Sequence, residues 1–164
     1  IDMDIEARIQ RLEDIEAIKQ VVATYAKAVD HNGNREMLGN VFAANSSWNC
    51  EGIGGWQGHD EVVDGLHETC TSVIPWAFHY MMNFMIDVEE NGKVAKAEYY
   101  LWEVAKFAND DGRNVDTLIA GWYETDFAKE DDGTWRVTHM ELKLKINGPA
   151  HTDYWETPIA PWAG

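Results

Sequence analysis

His79 lies in a stretch, Trp76 to Val88, whose side chains alternate in character. Phe78, Tyr80, Met82, Phe84, Ile86 and Val88 share one parity; His79, Met81, Asn83, Met85 and Asp87 share the other. Successive side chains of a β-strand point to opposite faces, so this pattern sets His79 beside Met81 and Asn83, opposite a wholly apolar face. A neutral imidazole in a half-dry cavity is a usable general base. It needs a second group to fix its tautomer and to stabilise the imidazolium that forms. A carboxylate suits that role, and Asp30 is the candidate. It closes a long helical pattern at the end where the macrodipole disfavours negative charge by about 0.3–1 kcal/mol, so helix stability does not explain it. The plainer alternatives are a strand histidine bonded to main chain and a turn aspartate in Asp-His-Asn-Gly.

The elements that must bring these two residues together can be read from periodicity. Ile5, Ile9, Leu12, Ile15, Ile18, Val22, Tyr25 and Val29 recur at steps of three and four, which predicts a helix over residues 4–30. Gly33 supplies the left-handed turn that ends it. Tyr25 belongs to the apolar stripe, while Ala23 and Ala26 flank Asp30 with small side chains that allow close approach to a sheet. A short helix over residues 35–43, a short strand and glycine-rich bend over 46–58, and a helix over 60–71 follow. After Pro75 the period changes from 3.6 to 2. Asn-Gly and Asp-Gly turns at 90–93, 110–113 and 131–134 then separate four strands, 77–89, 93–108, 114–128 and 134–146, in an antiparallel meander. Helices first and a long-stranded sheet second give an α+β fold, a cone-shaped barrel in which helices cover a strongly curved antiparallel sheet. The inside of such a cone is a ready-made pocket.

Composition narrows the function classes. The 164 residues suit one domain spanning 1–164, with 147–164 as an extended tail that holds three of the four prolines. A formal net charge of −16 repels phosphate backbones and anionic lipid surfaces, so neither nucleic acid nor a membrane is an expected partner. No apolar run approaches the roughly 20 residues that span a bilayer. Cys50 and Cys70 have neither metal spacing nor the number for a disulfide framework, which points to a reducing, cytoplasmic setting. His59, His67, His139 and His151 show no paired ligand spacing, and Gly-Ile-Gly-Gly at 52–55 lacks a following lysine. No metal and no organic cofactor are expected. Eight tryptophans and the apolar face of the 77–89 strand point to a pocket or a subunit interface.

Several motifs together carry a resemblance. Tyr-x4-Asp at 25–30, Trp-x-x-Glu-Gly-Ile-Gly-x-x-x-Gly at 48–58, His-Tyr-x-x-Asn at 79–83 and Leu-Ile-x-Gly-x-Tyr at 118–123 are similar to the SnoaL-like branch of the nuclear transport factor two-like superfamily. Asp-Gly-Thr-Trp at 132–135 and Thr-Pro at 157–158 extend the likeness over most of the chain. Among members of that branch the motifs look most like hexachlorocyclohexane dehydrochlorinase, with scytalone dehydratase and bile acid 7α-dehydratase near by. The resemblance implies an Asp–His dyad of Asp30 and His79 in a deep conical pocket, with Trp48 and Tyr123 shaping the pocket. It implies a homotrimer before a dimer.

Departures from the pattern bear on the reaction. Where the dehydrochlorinase has a lysine, this chain has Tyr25, and the arginine of the last strand falls near Met140. The dehydratases use a tyrosine near position 25, so a phenol would assist a leaving hydroxyl or polarise a carbonyl. Glu103 stands loosely where the bile acid enzyme has an acid, and an exposed strand glutamate is its plainer reading. The expectation is therefore a cofactor-independent lyase, a dehydratase or related β-eliminating enzyme, acting on a hydrophobic cyclic small molecule. In it His79 is the base, Asp30 its orienting partner and Tyr25 the assisting phenol, and Trp48, Tyr123, Met81, Asn83 and Glu103 contact substrate. A ketosteroid-isomerase-type isomerase, a dehydrohalogenase and a non-catalytic binding or structural subunit are the alternatives.

Overall fold

The computed structural model describes residues 4–150. Helix α1 (Ile5–Asp30) starts where the Asp4 carboxylate accepts the Ala7 N–H at 2.8 Å. Its second half buries Ile18, Val22, Tyr25 and Val29, as the period requires. Its first half differs from the expectation: Ile5, Ile9 and Leu12 lie exposed, ahead of the part of the helix that the sheet covers. Gly33 ends the helix at φ +59°, and a Cβ there would sit 2.6 Å from the His67 Cα. Helix α2 (Arg35–Val41) leads into strands β1 (Phe42–Cys50) and β2 (Gly54–Gln57), and helix α3 (His59–Glu68) runs on into a π-helical turn at Thr69–Val73. Strands β3 (Trp76–Val88), β4 (Val94–Ala108), β5 (Asn114–Lys129) and β6 (Trp135–Pro149) complete the fold. The first three residues of the expected tail thus belong to β6, and the rest beyond residue 150 lies outside the described residues.

The six strands form one sheet in the order β2-β1-β6-β5-β4-β3. The meander of β3 to β6 is antiparallel as expected, but β1 joins β6 in parallel, so the sheet is mixed. It is curved and open, and its concave side receives α1 and α3 to make the cone. Tyr99, Leu101, Ile119, Tyr123, Phe127 and Met140 from β4, β5 and β6 are buried on that side.

One irregularity decides which side chains face inward. Between Met82 and Met85, β3 carries three steps while β4 carries two, from Tyr100 to Glu98. The extra residue makes a β-bulge, with Asn83 at φ +56°, a conformation asparagine tolerates better than most residues. Parity therefore switches inside the strand. Phe78, Tyr80 and Met82 stay outside and exposed, whereas Phe84 turns inward to stack on Tyr99 at 5.1 Å. The continuous apolar face expected from Phe78 to Val88 does not exist; it is divided between the two sides of the sheet.

Gly121 marks a second tight place, at the register shift of β5 against β6. A Cβ there would overlap the Lys143 carbonyl, a main-chain group that cannot swing aside. Gly121→Ala is expected to destabilise the fold by ~1–3 kcal/mol through overpacking, read as a lower urea midpoint with an unchanged slope.

Candidate active site

The end of α1 and the start of β3 meet at Asp30. β3 is an edge strand, and the His79 N–H turns away from β4 to donate to Asp30 Oδ1 at 3.1 Å and Oδ2 at 3.3 Å. The ring of the same residue donates from Nδ1 to Asp30 Oδ1 at 2.6 Å. One carboxylate thus satisfies an edge-strand main-chain donor and fixes the ring. The side chains are nearly enclosed, His79 at 9% exposure and Asp30 at 12%.

Glu103 stands directly opposite His79 across the β3–β4 pair. Its side chain is 4% exposed, and Oε2 lies 3.2 Å from His79 Nε2. The plainer reading of an exposed strand glutamate is therefore corrected: residue 103 faces the concave side, in line with its buried neighbours Leu101 and Ala105. The imidazole is held between two carboxylates, one on each nitrogen. Burial alone would pull its pKa down; the charge of Glu103 and the hydrogen bonds to Asp30 and Glu103 outweigh burial and raise it to about 9. The resting ring is an imidazolium at neutral pH, where the sequence pointed to a neutral base. Because the three groups stand in line with the ring in the middle, they do not converge on a point where a metal could sit. Among the described residues no cluster of three or more His, Cys, Asp and Glu could hold a metal ion.

His79 and Glu103 open onto a narrow cavity of about 40 Å³. Tyr25, Trp48 and Tyr123 line it, and the Trp48 Nε1–H donates to the Tyr25 hydroxyl at 2.9 Å. The Tyr25 and Tyr123 hydroxyls are 3.4 Å apart. Burial, before any other influence, pushes both phenols well above their usual range, so both stay protonated as hydrogen-bond donors. Cys70, from the π-helical turn, also faces the cavity, its thiol pushed up to about 12 by burial and then by the charges of Glu103 and Asp30. Sequence reasoning weighed Cys70 for metal binding and disulfide pairing, and gave no sign that it reaches the site. The remaining expected contacts fall elsewhere. Met81 lines an outer cleft between α1 and β3, and Asn83 sits exposed at the bulge, away from the cavity. That cleft also reaches Asp30 and the outer side of His79.

A family model described as the SnoaL-like domain matches residues 10–141. The chain belongs to the SnoaL-like family. Solved structures repeat the architecture. This SnoaL-like chain superposes on a type 2 hexachlorocyclohexane dehydrochlorinase LinA with a TM-score of 0.78 and 19% identity, covering 95% of this chain and 99% of that one. A LinA type 3 from Novosphingobium barchaimii LL02 gives 0.77 and 19%, over 92% and 99%. A putative scytalone dehydratase from Novosphingobium aromaticivorans DSM 12444 gives 0.74 and 21%, over 88% and 93%. At these identities the likeness establishes the cone-shaped fold. No protein of curated function matches the sequence.

The raised pKa of His79 ties it to stability. A histidine whose folded pKa is about 9, against ~6.5 unfolded, stabilises the fold fully below that unfolded value and loses the contribution as pH rises through about 9. Glu103→Gln removes the charge that contributes most to the upward shift. Titration of ¹⁵N-labelled histidine is expected to show the ring pKa lower in the variant than in the wild type. The thermal midpoint of the variant should correspondingly vary less between pH 7 and 10.

Proposed function

We propose that the chain is a cofactor-independent lyase that eliminates across a carbon–carbon bond of a hydrophobic cyclic small molecule. The observation that carries this reading is the imidazole held by Asp30 on the wall of a cavity that it shares with Glu103, protonated phenols and apolar side chains. His79 takes the proton from carbon at Nε2, and Asp30 holds the ring and stabilises the imidazolium. Tyr25 donates a hydrogen bond to the leaving oxygen or to an adjacent carbonyl. Trp48 and Tyr123 shape the space around the ring of the substrate. The dehydrochlorinases and the putative dehydratase among the structural neighbours support an elimination in kind. The cavity, at about 40 Å³, is far below the ~300–1,000 Å³ usual for ligand sites, so a cyclic substrate needs its wall to move apart. Cys70 on that wall is carried by a π-helical turn, a form frequently found at functional sites. Free thiols at Cys50 and Cys70 support a reducing, cytoplasmic setting.

A panel of cyclic ketones bearing a β-hydroxyl or a β-halide, together with hexachlorocyclohexane, tests the reaction by the appearance of the alkene. His79→Ala is expected to lower turnover by ~10²–10⁴-fold, the usual weight of a general base, with the fold retained by circular dichroism. Undiminished turnover would remove His79 from the mechanism. Exchange of substrate hydrogen for deuterium without elimination would assign the site to an isomerase instead.

The same reading extends to assembly, with a homotrimer first and a dimer second. On the outer face Phe78 lies beside Val104, Tyr80 beside Trp102 and Met82 beside Tyr100, forming one apolar patch over β3 and β4. Phe78, Tyr80, Met82, Trp102 and Val104 are 37–47% exposed. Lys106 pairs with Asp116 and Lys143 with Glu124 around the patch, so in a strongly acidic chain this face is locally neutral. Light scattering behind size exclusion is expected to give a multiple of 18.7 kDa, and Trp102→Lys to shift it toward the single chain. A monomeric wild type would contradict the assembly.

A further inference from the structure

The base and the most buried carboxylate of the site touch each other. His79 Nε2 and Glu103 Oε2 are 3.2 Å apart, and both side chains line the narrow cavity. Each ring nitrogen already has a carboxylate, so Nε2 becomes a base only when its proton moves elsewhere. Asp30 holds the opposite nitrogen and is bonded twice over to the His79 main chain, which fixes the Nδ1–H tautomer. The Nε2 proton therefore has one neighbouring acceptor, Glu103. Moving it there leaves a neutral imidazole and a carboxylic acid side by side, a base and an acid aimed at the same space.

We propose that Glu103 is the general acid of the reaction, that the leaving group is a hydroxyl, and that it departs from the same face of the ring as the proton. The proposal rests on the elimination reading above and names the leaving group for it. The proton count closes without solvent. In the working form Nε2 is free and Glu103 carries a proton. The substrate C–H bond breaks, its proton goes to Nε2 and its electron pair becomes the new double bond. The C–O bond breaks with its pair on oxygen, which takes the Glu103 proton and leaves as water. His79 is now an imidazolium and Glu103 a carboxylate, and passage of the Nε2 proton to Glu103 restores the working form. One proton serves every turnover.

A halide fits this cycle badly. It leaves without needing a proton, and each turnover would leave one more proton in the site. Among the described residues the cavity wall also carries no lysine or arginine to stabilise a departing anion; its charged groups are Glu103 and the His79 ring, which Asp30 holds. Two adjacent groups on one wall reach two neighbouring substituents on one face of a ring, which is why the elimination is syn. The other ionisable groups around the pair are the Cys50 and Cys70 thiols and the Tyr25 and Tyr123 phenols, all pushed upward and neutral at pH 7.

Matched probes separate these roles: 3-hydroxycyclohexanone, which needs an acid to lose water, and 3-chlorocyclohexanone, which does not. Glu103→Gln is expected to lower elimination of the hydroxy probe by ~10²–10⁴-fold, the range for one acid–base group, with a loss at least ten times smaller on the chloro probe. Residual chloro activity shows that the variant is folded, and Glu103→Asp should recover part of the hydroxy activity. Wild-type kcat/KM on the hydroxy probe should be level through neutrality and fall above about 9, as the shared proton is lost. Equal losses on both probes, or none on the hydroxy probe, would overturn the acid assignment and leave the elimination reading standing. Turnover of neither probe by the wild type would overturn both.

Discussion

The structure is organised around the carboxylate of Asp30. It takes a main-chain N–H and a ring N–H from the same residue, His79, and so ties the last turn of α1 to the edge of the sheet. Charge at a helix C-terminus opposes the dipole by about 0.3–1 kcal/mol. Hydrogen bonds to a charged acceptor contribute roughly 1.5–3 kcal/mol each, so the arrangement is favourable despite its position. The edge donor of β3 would otherwise be left to water or to another strand. With the backbone and ring of His79 held by one group, the ring has no freedom to turn, and its far nitrogen must point at Glu103. Removing Asp30 would therefore unfix the helix end, the strand edge and the imidazole at once.

Low polarity magnifies what these charges do. Charges in an enclosed site interact through an effective dielectric far below that of water, so the two carboxylates hold a proton on the ring although burial opposes it. The phenols move the same way for a different reason: burial itself raises them, so Tyr25 and Tyr123 keep their protons and serve as donors. The same cavity thus holds donors that stay protonated at neutral pH beside a ring in contact with two carboxylates.

Much of this was legible in the chain. The 3.6-residue stripe and the three glycine turns placed α1 and the four long strands within a few residues, because amphipathic period and turn chemistry are local properties. Asp30 and His79 were visible as residues whose positions local stability did not explain. Parallel pairing of β1 with β6 was not visible, since it joins segments some 90 residues apart in register. The exposure of Ile5, Ile9 and Leu12 was hidden for a related reason: an apolar period says which face would be buried, and only the length of the covering sheet says how much of it is. Asn83 was assigned to the pocket because alternation was read through β3 as unbroken. A bulge costs one residue and leaves no composition signal beyond an asparagine at a left-handed position.

That bulge reaches further than the strand it bends. Counted residue for residue from the Val88–Ala95 pair next to the turn, His79 would stand opposite Val104; the extra residue brings Glu103 there instead. A deletion of one codon at Asn83 would straighten β3 without parting this pair, since His79 would then stand eight residues before Val88 as Glu103 stands eight after Ala95. Straightening the strand with its length kept is the damaging change: it would set Val104 opposite the imidazole although every core residue remains in the chain. The bulge thus holds one surplus residue out of the ladder, and the proton-handling pair depends on its staying out.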